Sequence, residues 1–335
     1  MLADFRFAEA AGYSRLRKVL RPFYLGGRKI PPVTVLAAYF DDSRREGVVS
    51  IAGYVAHLEM WDDRFAPGWQ RIIHEAPHYI SEFKASDCRN KRGEFEGWTT
   101  AECDALTTAL VDVLTHHTDR DNFIGLGIAV RLPRVESVPG FSSMSAADKT
   151  SWRRTHFDES FQLCLQLILV EMLTTGAHLL GVPSDKLELV FDEQRKQVGK
   201  AWTNFDTIRK LVGAEVKYDV PVPSFRNSKD VLPLQAADLL THETAREVIN
   251  GGPPRSRPIS IALSRLINAR WHRAKYIDAK LLADYLLGGQ TPTCTLPFFT
   301  SRRISLEKWR NGRNDFSAPA FASASSRAAT PISAR

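Results

Sequence analysis

The sequence is poor in cysteine and lacks long apolar runs. Its four cysteines, Cys88, Cys103, Cys164 and Cys294, are scattered without a C-x-x-C spacing, which argues against a disulfide framework or a zinc site. No stretch reaches the roughly 18 consecutive apolar residues of a membrane-spanning helix, and the N-terminus lacks the apolar segment and cleavage site of a signal peptide. We therefore predict a cytoplasmic protein with reduced thiols and no membrane partner.

Several catalytic signatures are also missing. The sequence contains no G-x-S-x-G nucleophile motif, no P-loop and no glycine-rich dinucleotide motif. These absences disfavour hydrolysis by a serine nucleophile and chemistry driven by a nucleotide cofactor. No cysteine has a recognisable reactive context, and we find no internal repeat.

The charge is unevenly distributed along the 335 residues, which are 44% hydrophobic and 25% charged, as in a soluble globular protein. The formal charge of +7 divides into +5 over residues 1–30, −8 over residues 31–250 and +10 over residues 251–335. Lys and Arg bind phosphates, and carboxylates bind metal ions. The division suggests a polyanion-binding flank beside a cation-binding body, although an ordinary surface with a basic tail fits it equally well.

Apolar periodicity predicts strands and helices in mixed order. The predicted strands are VTVLAAYF and VVSIAGYV, joined as a hairpin by DDSRREG, then HYISEF, NFIGLGIAVRL, KLELVFDEQ and an edge strand AEVKYDV. The predicted helices cover residues 58–75, with Pro67 as an interruption, and 99–117, 151–178, 201–212 and 231–249. This mixture predicts an α/β or α+β fold, in which helices cover a mixed β-sheet.

The predicted organisation has four parts. They are an N-terminal helical extension over 1–32, a core over 33–250, a basic C-terminal helical extension over 251–313 and a disordered tail over 314–335. The tail is rich in Ala, Ser and Pro, a composition that cannot bury enough apolar surface to fold.

Acidic residues follow two of the apolar strands. Asp41 and Asp42 end the first, Asp192 and Glu193 end the strand LVFDEQ, and Asp238 lies on an otherwise apolar helix start. Two charges 4 Å apart repel by about 4 kcal/mol at an effective dielectric of 20. If Asp41, Asp192 and Asp238 converge, the binding of two Mg²⁺ or Mn²⁺ ions would relieve their repulsion. Two such ions are the usual catalysts of phosphodiester cleavage.

Each acid also has a purely structural interpretation. Asp41 or Asp42 could be solvated in a turn, and Asp192 could cap a strand. Asp238 could be a first-turn residue that the positive end of the helix dipole stabilises. His242, which shares a helix face with Asp238 and Gln235, fits a packing or surface role better than a ligand role, and Glu193 fits a solvated role.

The segments YFDDS, EFKASD, LVFDEQ and NSKDVLPLQAADLLTHE, in this order, resemble the family known as domain of unknown function 3800, over roughly residues 34–250. The resemblance implies a ribonuclease H-like mixed β-sheet with helices on both faces and a metal-dependent nuclease activity. Asp42 and Arg44 stand where the family usually has Glu and Gly, which alters the turn.

Carried over residue by residue, the resemblance implies a catalytic metal site. Asp41 would contact both ions, Asp192 and Asp238 would each complete one, and Glu82 is a candidate fourth ligand. Lys84 and Asp87 occupy the same short segment as Glu82.

Basic residues near these motifs are candidates for nucleic-acid binding. They are Lys84, Arg226 and Lys229, and, in the aromatic and basic segment NARWHRAKY, Arg270 and Arg273. Solvated loop charges and an exposed amphipathic helix with a packed Trp271 explain the same residues. The sequence thus predicts a nuclease with DNA or RNA as its partner, and the alternative is a nucleic-acid-binding or partner-binding module without turnover.

Overall fold

The described part of the chain has a mixed α/β fold built on a six-stranded sheet. The computed structural model describes residues 36–117, 123–132, 143–173, 187–193, 205–207, 209–210, 220, 222–250, 260–268 and 272–277. Its strands are β1 Leu36–Arg45, β2 Val48–His57, β3 Phe123–Arg131, β4 Leu187–Asp192, β5 Ser224–Arg226 and β6 His272–Ile277. The α/β prediction is confirmed.

The first two strands form the predicted hairpin, with a tighter turn than expected. The turn consists of Glu46 and Gly47, whose φ angles are 49° and 71°. Two consecutive residues with positive φ suit a two-residue hairpin, because the twist of such a turn matches the twist of the strands. Asp41 and Asp42 therefore lie inside β1, and their predicted placement in the connecting turn is wrong.

The strand order in the sheet is β5-β4-β1-β2-β3-β6. The central strands β1, β2 and β3 pair antiparallel. Both flanks are parallel, since β4 pairs with β1, β5 with β4, and β6 with β3. The parallel pairing of β1 with β4 ends at Phe40 and Phe191, so the next positions along the two strands are Asp41 and Asp192.

Helices cover both faces of this sheet. They are α1, a continuous helical segment of Leu58–Met60, the π-helical Trp61–Phe65 and Ala66–His74, then α2 Ala85–Asn90, α3 Thr100–His117, α4 Ala146–Glu171, α5 Leu232–Ile249 and α6 Ile261–Asn268. One apolar cluster joins the sheet to α4, and a second joins the opposite face to α1, α3 and α5. In the described part of the chain, no helix is long and apolar enough to cross a membrane.

Two predicted elements differ from the structure. Residues 78–83, the predicted strand HYISEF, form an irregular segment before α2. Its backbone is bound by side chains in place of a strand partner, since Ser81 N–H and Glu82 N–H donate to Glu94 and Phe83 N–H donates to Gln235.

The basic C-terminal extension is not wholly helical. Residues Ile261–Asn268 form α6, but His272–Ile277 form β6, which completes the backbone hydrogen bonding of β3 and so belongs to the core sheet. The predicted edge strand over 214–220, the extension over 1–32 and the tail over 314–335 lie outside the described residues, apart from residue 220.

Candidate functional site

Adjacent acids on β1 face opposite sides of the sheet, because side chains alternate along a strand. Asp41 points toward α5 and is only 7% exposed. Asp42 points toward α4, where it forms an ion pair with Arg44 at 3.3 Å, and Arg44 lies 3.8 Å from Asp158 and over the Phe161 ring. Asp42 therefore stabilises the packing of α4 on the sheet, and Asp41 is the acid available to a site.

Asp41 meets Asp238 across the interface between β1 and α5. The two carboxyl groups share a hydrogen bond, and Ala85 N–H donates to Asp238 Oδ2 at 2.6 Å. Burial raises the pKa of Asp41 well above its ordinary value, and the negative charges of Asp238, Asp42 and Asp192 raise it further. Burial also raises the pKa of Asp238 to about 6, against the lowering effect of the Ala85 hydrogen bond and of Lys84.

Asp192 ends β4 beside this pair. Its Oδ1 accepts a hydrogen bond from Ser228 N–H at 3.2 Å, and its backbone pairs with Arg226 of β5. Its negative charge acts on both Asp41 and Asp238. Three acids from β1, β4 and α5 thus lie within electrostatic reach of one another.

Glu82 and Lys84 border the acids from the segment before α2. Glu82 is 6% exposed, accepts a hydrogen bond from the Ser228 hydroxyl and lies 3.5 Å from Lys84 Nζ. Partial burial opposes the charged form of Lys84, but Glu82, Asp192, Asp238 and Asp41 outweigh it and raise the lysine pKa. Lys84 is therefore a positive charge tethered beside the acids.

Gln235 fixes this segment to α5. It is 1% exposed, and its Oε1 accepts hydrogen bonds from Trp69 Nε1 at 3.0 Å and Phe83 N–H at 3.1 Å. Its Nε2 donates to Ser228 O at 3.0 Å. One side chain thereby connects α1, the Glu82 segment and the loop before α5, which positions them around Asp238.

A polar cavity of about 390 Å³ opens at this place. Glu82, Lys84, Asp192, Ser228 and Lys229 are among its lining residues, whereas Asp41 and Asp238 do not line it. The cavity is large enough to admit a phosphate group, and it presents two lysines beside carboxylates.

The donor set suits a hard divalent cation in kind, since carboxylate oxygens are the ligands that Mg²⁺ and Mn²⁺ prefer. The buried pair of Asp41 and Asp238 is also the kind of like-charge contact that a cation relieves. Among the described residues, however, no group of three or more His, Cys, Asp or Glu side chains is placed closely enough to hold a metal ion. Asp192 and Asp238 are engaged by backbone N–H groups, so these side chains must rotate to gather around one point.

The structure brings most of the predicted site residues together and leaves two aside. Asp41, Asp192, Asp238, Glu82 and Lys84 share one electrostatic neighbourhood. Arg226 lies next to Asp192 in the sheet and Lys229 lines the cavity.

Arg273 and Arg270 are not part of this neighbourhood in the described structure. Arg273 belongs to β6, at the edge of the sheet opposite to β5, so its backbone lies about 15–20 Å from β4 at a strand spacing of about 4.8 Å. Arg270 lies outside the described residues.

Sequence reasoning missed two groups that shape the site. Ser228 binds Asp192 through its N–H and Glu82 through its hydroxyl. The Glu94 carboxylate accepts from the N–H of Ser81 at 2.6 Å and of Glu82 at 3.3 Å, which holds the Glu82 segment in place. A serine in a turn and an exposed glutamate in the short 3₁₀ helix Gly93–Phe95 carry no periodic signal that could have revealed these roles.

Comparisons with known protein families, curated protein sequences and solved structures found no match to this chain.

We expect the acid pair to destabilise the metal-free protein as the pH rises from about 4 to about 7. The folded-state pKa of Asp238, about 6, lies above its ordinary value of 3.8, so folding favours the protonated carboxyl group. The protonated Asp238 therefore contributes its full stabilisation, relative to the ionised form, below about pH 4, and this contribution is lost as the pH rises through about 6. At about 1.4 kcal/mol per pKa unit, the loss reaches about 3 kcal/mol.

Urea denaturation of the wild type and of Asp238→Asn across this pH range isolates the effect. His242 acts in the opposite sense, since burial and the charge of Arg45 lower its pKa to about 3, and its contribution to stability is lost as the pH falls below about 6.5. Because His242 is common to both proteins, it cancels in the difference. Parallel stability curves for the two proteins would contradict the assignment to Asp238.

Proposed function

We propose that this protein is a divalent-metal-dependent nuclease with a ribonuclease H-like core. The proposal depends on one observation, the buried contact of Asp41 with Asp238 and the nearby charge of Asp192. Two carboxyl groups buried side by side oppose each other's ionisation. A protein that needs no cation there would be more stable with neutral side chains at these positions.

The sheet topology supports the ribonuclease H-like part of the proposal. An antiparallel trio, β1, β2 and β3, is continued on the β1 side by the parallel strands β4 and β5. The acids stand on β1, at the end of β4 and on α5, in the order that the family resemblance assigns to them. The strand β6 then adds to the far edge, away from the acids.

Asp41, Asp192 and Asp238 would hold the ions, and Mg²⁺ or Mn²⁺ pairs supply an activated water and stabilise the leaving oxygen. Glu82 is the weakest fourth ligand, because Ser228 and Lys84 already engage its carboxylate. Lys84 is 46% exposed and can turn from Glu82 toward a phosphate in the cavity. The carboxylates act as ligands, so the site needs no histidine base.

A binding module without turnover is the second candidate, and two observations favour it. Lys84 already supplies a positive charge to all four carboxylates, and no described group of side chains gathers closely enough for a metal. In this alternative, Lys84 offsets part of the negative charge of the acids, and the cavity binds its partner without an ion.

Metal titration distinguishes the two candidates. We expect Mn²⁺ or Mg²⁺ to raise the melting temperature of the wild-type protein and to induce cleavage of labelled single-stranded or double-stranded DNA or RNA. Both effects should disappear in the double variant Asp41→Ala, Asp192→Ala, because it lacks two of the three proposed ligands.

A matched double variant, Asp63→Ala, Glu75→Ala, controls for the loss of two negative charges. Both residues are exposed and lie on or directly after α1, so this variant should respond to metal and cleave as the wild type does. Binding of nucleic acid without a metal response, by the wild type and the acid variant alike, would contradict the nuclease proposal and support the binding module.

A further inference from the structure

Basic residues stand four positions after the acids along both β1 and α5. On β1, Asp41 is followed by Arg45, which points to the same face of the sheet. On α5, Asp238 is followed by His242 and Arg246 at spacings of four, which share one helix face. Asp41 contacts Asp238 between β1 and α5, and four residues further along both elements Arg45 contacts His242.

In the contact between Arg45 and His242, the histidine ring is neutral. Arg45 Nη1 donates to His242 Nδ1 at 3.3 Å, which leaves the proton on Nε2. His242 is 4% exposed, and in the part of the chain that the structure describes its Nε2 has no hydrogen-bond partner. Burial and the charges of Arg45, Arg246 and Arg89 lower its pKa to about 3, so three positive charges surround an uncharged ring.

These arginines, Arg45, Arg89 and Arg246, form what we call the arginine patch. Arg45 and Arg246 each contact one glutamate, Glu46 at 3.4 Å and Glu243 at 3.3 Å. A guanidinium carries five N–H donors, so each retains donors for a ligand.

Arg89 of α2 is exposed, and it forms no ion pair within the described part of the chain. The same end of the sheet carries a further cation, Arg131, which faces α5 across Val48 from Arg45, and whose buried Nη2 has no hydrogen-bond partner among the described residues. Four guanidinium groups thus lie around this end of the sheet, and two of them contact the glutamates Glu46 and Glu243. Such planar, fork-shaped donors match the geometry of a phosphate.

We infer that the arginine patch binds a backbone phosphate of a nucleic-acid strand whose scissile phosphodiester lies at Asp41 and Asp238. The inference rests on the proposed nuclease function and adds the direction of the strand, which runs from the cavity along α5 toward Arg246. The eight residues from Asp238 to Arg246 span about 12 Å of α-helix, the four from Asp41 to Arg45 span about 13 Å of β-strand, and a stacked strand rises about 3.4 Å per nucleotide. The patch therefore contacts the phosphate about three to four nucleotides from the site of cleavage, and His242 is a positioning residue that orients Arg45.

Equilibrium binding in the presence of a chelator tests the patch without any cleavage. The probe is a fluorescently labelled single strand of about 20 nucleotides, titrated with protein at several salt concentrations around 0.1 M. Each lost phosphate contact makes the slope of log K against log salt less negative by about 0.7. Because the patch binds one phosphate, the triple variant Arg45→Gln, Arg89→Gln, Arg246→Gln should lose about 0.7 units of slope and bind about fivefold more weakly at 0.1 M salt, and Arg89→Gln alone should show a smaller part of this loss.

The matched control replaces three exposed arginines elsewhere on the surface, Arg64, Arg71 and Arg154, by Gln. Two lie on α1 and one on α4, so binding and salt slope should stay close to those of the wild type. Arg89→Gln provides a variant that breaks no ion pair within the described residues, in case the triple variant folds poorly.

The outcomes separate this inference from the nuclease proposal. If the wild type cleaves with Mn²⁺ and the arginine variants bind the strand as well as the control does, the inference that the arginine patch binds a phosphate is wrong. The nuclease proposal then stands. Weaker binding confined to the patch variants, in a protein that cleaves nothing, supports the patch as a phosphate site and contradicts the nuclease proposal. A wild-type protein that does not bind the strand overturns the inference.

Discussion

Replacement of Asp238 by asparagine is expected to reduce metal-dependent cleavage by about 10²–10³-fold, the range that follows the removal of one electrostatic group from an active site. The same substitution should stabilise the metal-free protein at pH 8. Asparagine removes the negative charge that burial and Asp192 disfavour, while its amide oxygen can still accept the hydrogen bond from Ala85 N–H. Loss of function with gain of stability is typical of a residue retained for its chemistry.

Two measurements on the purified variant check this expectation, the initial rate of cleavage with Mn²⁺ and the urea midpoint without metal. Asp42→Asn is the matched control, since Asp42 is the adjacent acid on the opposite face of β1. It breaks a partly buried ion pair with Arg44, so stability should fall by about 1–2 kcal/mol with little change in the rate. Equal rates for wild type and Asp238→Asn would remove Asp238 from the proposed site.

Replacement of Gln235 by alanine is expected to have the largest effect on stability, about 3–5 kcal/mol. It leaves three buried groups without their partner, namely Trp69 Nε1, Phe83 N–H and Ser228 O. Each unsatisfied buried group costs about 1–3 kcal/mol. Because Gln235 ties the Glu82 segment to α5, cleavage should also weaken in protein that remains folded.

Chemical denaturation of Gln235→Ala and Trp69→Phe, alone and combined, measures this connection. Trp69→Phe removes a single donor and should cost less than Gln235→Ala, and the two effects should be less than additive because the residues share a hydrogen bond. The exposed Gln70 offers a control, since Gln70→Ala should change stability by no more than about 0.5 kcal/mol. A cost for Gln235→Ala no larger than that for Trp69→Phe would show that the other two hydrogen bonds contribute little.

Local patterns determined much of the secondary structure. The alternation of apolar residues predicted the hairpin and β4, and helical periodicity predicted α3 and α5. The start of α3 follows from a capping box, in which Thr99 Oγ1 accepts from Glu102 N–H and the Glu102 carboxylate accepts from Thr99 N–H. Such features depend on residues within one turn or strand, so the sequence alone contains them.

The irregular segment at 78–83 and the strand β6 were not predictable in this way. The apolar pattern of HYISEF resembles a strand, but Gln235 and Glu94 bind its backbone from distant positions in the chain. The segment His272–Ile277 is a strand because β3 presents an edge for it to pair with. In both cases a long-range partner decided the conformation.

The sequence by itself determined which acids could meet, through their order and their positions after apolar strands. The tertiary structure decided which acid of the adjacent pair faces the site. It places Asp41 against Asp238 on α5 and sends Asp42 to Arg44 on the other face. It also buries His242 in a position where the ring accepts a hydrogen bond from Arg45. Alternation along β1 predicts that Asp41 and Asp42 diverge, but only the packing of α5 and α4 on opposite faces assigns a role to each.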